Sequence, residues 1–91
     1  RRAALDASIA RAGSLVAGAE AQLRDAGARQ TLATINARRY VELGGGDFVS
    51  ASVVEAKLQE RISAEAGQRA AEAGLAGARQ EGHALSLNGM R

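Results

Sequence analysis

The sequence predicts an all-α protein, an antiparallel two-helix coiled-coil hairpin. Three observations predict it: the chain has no proline, its first half repeats apolar residues at heptad spacing, and a run of three glycines lies near its middle. Long helices are possible because no proline interrupts them. Glycine reaches the positive φ angles that a chain reversal needs. We place the first helix at residues 2–43, the turn at 44–49 and the second helix at 50–84, so that residues 1–91 form one hairpin domain.

The first helix carries a seam of apolar and small residues at alternating steps of four and three. Its members are Leu5, Ile9, Ala12, Val16, Ala19, Leu23, Ala26, Gln30, Ala33, Ala37 and Tyr40. Only Gln30 is polar in that series. This spacing is typical of a helix that packs along one side against a partner helix.

The second helix has a weaker pattern. Ser50 is placed to cap its first turn, and Ser52 with Glu55 has the spacing of a capping box. We expect its seam to follow the apolar and small residues Val54, Leu58, Ile62, Ala66, Ala70, Ala73 and Gly77. Asn88 and Gly89 are expected to end or fray the helix.

The glycine run, Gly44, Gly45 and Gly46, is the expected turn. Folding the chain at residue 46 or 47 predicts which residues of the two helices lie side by side. The expected neighbours are Ile35 with Leu58, Thr31 with Ile62, and Tyr40 with Val53.

Composition argues against several classes of function. The net charge is only +2, the charges are interspersed, and aromatic residues make up 2% of the chain, so a nucleic-acid partner is not expected. The chain has no cysteine, and His83 is its only histidine, which leaves too few ligands for a zinc site. No lysine and serine or threonine follow the glycine run as in a phosphate-binding loop. We therefore predict no enzyme activity, no catalytic residue, no cofactor and no metal.

The residues around the turn share their spacing with a known family. Three residues separate Arg39 from Leu43, and six residues separate Leu43 from Ser50. The segment begins with Arg39-Tyr40 and ends with Phe48-Val49-Ser50. This pattern resembles the hairpin tip of the periplasmic adaptor proteins, or membrane fusion proteins, of type I secretion systems and tripartite efflux pumps. Residues 55–60 are similar to the hemolysin- and colicin-secretion branch. Asp47 stands where the family more often has glycine.

The resemblance implies that the chain is the helical hairpin of a larger adaptor. In this family the hairpin projects from a lipoyl-like domain and a β-barrel domain, and several copies form a ring. The tips of the ring meet a TolC-type outer-membrane channel, while the parent protein is anchored in the inner membrane beside a transporter. The resemblance thus implies a periplasmic location. It assigns channel docking to Arg39, Leu43 and Ser50.

The same three residues have simpler explanations that stay open at this stage. Arg39 also suits the carbonyl end of a helix, because a cation is favoured there. Leu43 also suits the last position of the core, and Ser50 suits a helix cap. The alternative function is a coiled-coil scaffold or interaction arm of an unrelated assembly, with no role in transport.

Overall fold

The computed structural model of the chain describes residues 2–44 and 49–89, and it is an all-α helical hairpin. Helix α1 is Arg2–Gly44 and helix α2 is Ala51–Gly89. No strand occurs among the described residues, so the predicted fold class is confirmed. Within these two ranges, neither helix has a stretch of the length and hydropathy needed to cross a bilayer.

The predicted helix boundaries need three corrections. Gly44, predicted in the turn, is the last residue of α1. Helix α2 starts one residue later than predicted, at Ala51, and continues through Asn88 and Gly89, which we expected to end it. The predicted turn residues Gly45 and Gly46 lie outside the described residues. Helix α2 persists at its end because Gly89 lies against α1, where a Cβ built on it would be 3.4 Å from the Ile9 Cδ1.

The predicted seam of α1 is confirmed along its whole length. Every one of its members from Leu5 to Tyr40 is half-buried or buried, and Ala12 and Ala37 are the most enclosed. The alternating steps of four and three average 3.5 residues, close to the 3.6 residues of one helical turn. The seam residues therefore stay on the side of α1 that faces α2.

The predicted seam of α2 is wrong beyond Leu58. Ile62 is 49% exposed, and the four small residues that we placed after it are exposed as well. The covered positions are instead Val54, Lys57, Leu58, Arg61, Ala64, Glu65, Gln68, Ala71, Leu75, Ala78, Gly82 and Leu85. The predicted seam advanced mostly in steps of four residues. In a helix of 3.6 residues per turn, each step of four goes about 40° beyond a full turn, so the predicted positions move progressively off the buried side of α2.

The contacts divide the chain into two units. The turn unit is Asp25–Arg69, and the end unit combines Arg1–Arg24 with Ala70–Arg91. In the end unit Ala12 and Leu75 are buried, and a Cβ built on Gly82 would lie 3.7 Å from the Ala12 Cβ. In the turn unit Ala37 is buried with 1% of its surface exposed. Small side chains dominate the most buried positions because they let two helix backbones approach closely.

The exposed positions of the turn unit correct two of the predicted neighbour pairs. Ile35, expected beside Leu58, is 44% exposed, and Thr31 and Ile62 are both exposed. The predicted register itself is nearly right, since a Cβ built on Gly82 would lie 3.7 Å from the Ala12 Cβ in the end unit, where our fold would place residue 81 opposite residue 12.

Candidate docking site at the turn

Ser50 caps helix α2, as the sequence predicts. Its carbonyl oxygen accepts hydrogen bonds from the backbone N–H of Val53 at 3.1 Å and of Val54 at 3.2 Å. Its Oγ also accepts from the Val53 N–H at 3.4 Å and lies 3.2 Å from the Oγ of Ser52. Because Ser50 occupies the cap, Ser52 falls inside the first turn of α2, and the capping box predicted for Ser52 and Glu55 does not form.

Gly44 ties the end of α1 to the start of α2. A Cβ at this position would lie 2.8 Å from the Val54 Cγ2, which is closer than real Cβ contacts allow. Val54 in turn donates its backbone N–H to Ser50. These contacts connect the two predicted docking residues at the turn. Leu43 is bonded to Gly44, Gly44 packs against Val54, and the Val54 N–H is hydrogen-bonded to the Ser50 carbonyl.

Arg39 and Leu43 lie four residues apart on α1, so they share one face of the helix. Both are exposed, Leu43 at 39%, and Ser50 is exposed at the cap of α2. Arg39 lies one residue further from the end of α1 than we predicted, and the last turn of that helix holds no basic residue. The macrodipole acts mainly within the last turn, so it gives a weak account of Arg39. Because Leu43 is exposed, it is not the last residue of the core.

Behind this face, Tyr40 and Lys57 pack across the two helices. The Lys57 Nζ lies 5.1 Å from the centroid of the Tyr40 ring, within the range of a cation–π interaction, and 3.5 Å from the Glu60 Oε2. The predicted partner of Tyr40, Val53, is instead 39% exposed. Sequence reasoning missed this contact, because lysine is a residue type expected on a solvated face.

Polar residues occupy the middle of the seam in the turn unit. Gln30 donates from its Nε2 to the Thr34 Oγ1 at 3.0 Å, and the Arg61 Nε lies 3.3 Å from the Glu65 Oε1. Gln68 is also half-buried. The Arg61 Nε is shielded from solvent and has no well-directed hydrogen bond within the described ranges, so its contact with Glu65 is mainly ionic.

Large aliphatic residues of the turn unit lie on its outside. Six of them are at least 39% exposed: Leu32, Ile35, Val41, Leu43, Val53 and Ile62. Leu32 and Ile35 lie on the same side of α1 as Arg39 and Leu43, by spacings of three and four residues. The turn unit therefore presents these aliphatic side chains to solvent, outside the contact between its two helices.

The candidate site offers groups for contact with a partner, namely the Arg39 guanidinium, the Leu43 side chain and the Ser50 hydroxyl. Among residues 2–44 and 49–89, no three histidine, cysteine, aspartate or glutamate side chains come together in a way that could hold a metal ion. The fold and the turn together define a class of protein, the two-helix coiled-coil hairpins. Comparison of the chain with protein-family models, curated proteins and solved structures found no match.

Proposed function

We propose that this chain is the hairpin of a periplasmic adaptor of the hemolysin- and colicin-secretion type, and that it docks through its turn to a TolC-type outer-membrane channel. The parent protein, anchored in the inner membrane, would link that channel to a transporter in type I secretion or efflux. The proposal rests on the resemblance of the Arg39, Leu43 and Ser50 spacing to the adaptor tip. It involves no catalysis, cofactor or nucleic acid.

The observation that carries the proposal is the exposure of all three residues beside the turn. A guanidinium offers a planar fork of donors that pairs with carboxylates or with free carbonyl groups at the end of a partner helix. Leu43 adds an aliphatic contact and Ser50 a small hydroxyl that permits close approach. One charge, one apolar group and one small polar group suit a contact between helix ends.

Exposed aliphatic residues support the homo-oligomeric ring that belongs to this proposal. Leu32 is 60% exposed and Ile35 is 44% exposed on one helix, and Ile62 is 49% exposed on the other. Lateral packing of copies would cover such residues. The same exposure also favours the second candidate function, a coiled-coil interaction arm of an unrelated assembly.

Arg39→Asp in the full-length parent tests the docking role. We expect transport to be lost while helicity and ring assembly persist, and Arg39→Lys to be intermediate because it keeps the charge and loses the fork. Arg69→Asp, an exposed arginine on α2, is the matched control and should leave transport nearly unchanged. Normal transport by Arg39→Asp, or loss of transport together with helicity, would contradict the docking role and favour the interaction arm.

A further inference from the structure

Val53 departs from the pattern expected at the start of a capped helix. It is the third residue of α2, and its backbone N–H donates to the Oγ of the cap Ser50 at 3.4 Å. This bond is one half of a capping box, and the other half needs glutamate or glutamine at the third residue. Valine cannot return the bond, and the first turn of α2 holds no acidic residue to favour the helix dipole.

The contact between the two helices does not explain a valine at this position. The residue that packs there is the next one, Val54, which is half-buried and lies against Gly44. Val53 is 39% exposed, and its β-branched side chain has a lower helix propensity than glutamate or glutamine. A residue that departs from the local rules in this way is expected at a functional site.

Val53 lies on the same side of the hairpin as Leu43. The two residues directly precede Val54 and Gly44, which pack against each other across the helices. In an antiparallel pair, one step back along each helix turns by about 100° towards the same side. Leu43 and Val53 are each 39% exposed on that side. The side of the turn that carries Leu43 therefore carries a second aliphatic group, directly after the cap at Ser50.

We propose that Val53 is a further contact residue of the docking site, and that Val53 and Leu43 together receive an apolar side chain from the helical tip of the channel. The inference rests on the proposed function, which supplies the partner. Continuity selects this occupant, because Val53 shares a side with Leu43 and its N–H is bonded to Ser50. A helix end that covers those two residues also covers Val53. The bonds to Ser50 hold the Val53 backbone in place before binding, which lowers the entropy cost of the contact.

Val53→Gln tests the inference, because glutamine completes the capping box while it removes the apolar contact. The measurement is the dissociation constant between the full-length parent and a purified TolC-type channel, both in detergent micelles. Val53→Gln should raise this constant about tenfold, the ratio for about 1.4 kcal/mol, and Val53→Ile should leave it nearly unchanged. The melting temperature of the 91-residue chain should stay the same or rise with Val53→Gln, which a purely structural role does not predict.

Ala51→Gln is the matched control, since Ala51 is exposed in the same turn of α2 and lies about 200° around the helix from Val53. It should not change the dissociation constant, and an equal weakening by Ala51→Gln would overturn the inference. Val53→Thr, which keeps the shape and adds a hydroxyl, serves if Val53→Gln lowers the melting temperature, and unchanged binding by it would also overturn the inference.

Arg39→Asp in the same assay separates this inference from the proposed function. If Arg39→Asp weakens binding and Val53→Gln does not, Val53 is not a contact residue, and docking at the turn stands. If neither variant weakens binding, docking at the turn is wrong and the inference falls with it.

Discussion

Gly44 of α1 lies directly against Val54 of α2, so close that a Cβ on Gly44 would be 2.8 Å from the Val54 Cγ2. The backbone N–H of the same valine bonds to the carbonyl of Ser50. The contact therefore holds the end of one helix against the capped start of the other. It fixes the two exposed elements of the candidate docking site, the α1 face at Leu43 and the cap at Ser50, relative to each other.

Gly44→Ala should destabilise the hairpin, because the stiff β-branched Val54 must shift to admit a methyl group. Overpacking of this kind costs about 1–3 kcal/mol, and the better helix propensity of alanine offsets about 1 kcal/mol of it. Urea denaturation measures the difference. Val54→Ala in the same chain should remove the clash and restore most of the loss.

Gly13→Ala is the matched control, since no atom lies within 4 Å of a Cβ built at that helical position. It should raise stability by about 0.5–1 kcal/mol. Equal effects of alanine at positions 13 and 44 would show that the Gly44–Val54 contact does not constrain the turn unit.

Ser50→Ala should lower the free energy of unfolding by about 0.5–2 kcal/mol, because the Val53 N–H loses its side-chain acceptor. Ser50→Gly should cost only a few tenths of a kcal/mol, since glycine is tolerated as a cap. The glycine variant thus removes the hydroxyl with little effect on the fold. If Ser50→Gly in the parent leaves transport intact, Ser50 is a cap only, and docking depends on Arg39 and Leu43.

Cysteines introduced by Ala12→Cys and Gly82→Cys should form a disulfide within one chain, because a Cβ built on Gly82 lies 3.7 Å from the Ala12 Cβ, a distance that disulfide-bonded pairs have. Ile35→Cys with Leu58→Cys, the pair suggested by folding the sequence at its middle, should crosslink much more slowly, since Ile35 is 44% exposed. Gel mobility without reductant, at low protein concentration, distinguishes the two. Faster crosslinking of the 35–58 pair would contradict the observed helix faces.

Arg61→Leu together with Gln68→Leu should keep or raise thermal stability while loosening the register of α2. Both side chains are half-buried in the seam, where leucine would remove more apolar surface from water, but polar seam residues restrict which pairings are acceptable. The 12–82 crosslink should become slower in this background. An unchanged crosslinking rate would show that Arg61 and Gln68 do not set the register.

The candidate site was predicted in part. The exposed positions of Arg39 and Leu43 and the cap at Ser50 follow from helix periodicity and capping chemistry near a glycine turn, which are local properties. The contact between Tyr40 and Lys57 was not predicted. It exists only where α1 and α2 meet, and a single helix carries no signal for that meeting.

The sequence by itself determined the two helices, the position of the reversal and the seam of α1. In α1 the large residues Leu5, Ile9, Val16 and Leu23 mark one side of the first half, and the heptad spacing extends that side to Tyr40. Tertiary structure decided which side of α2 is buried against α1. Alanines lie on every side of that helix, so helix propensity is satisfied by any rotation about its axis. Contact with α1 selects the rotation that buries Leu75 and leaves Ile62 exposed, because the gain depends on both helices together.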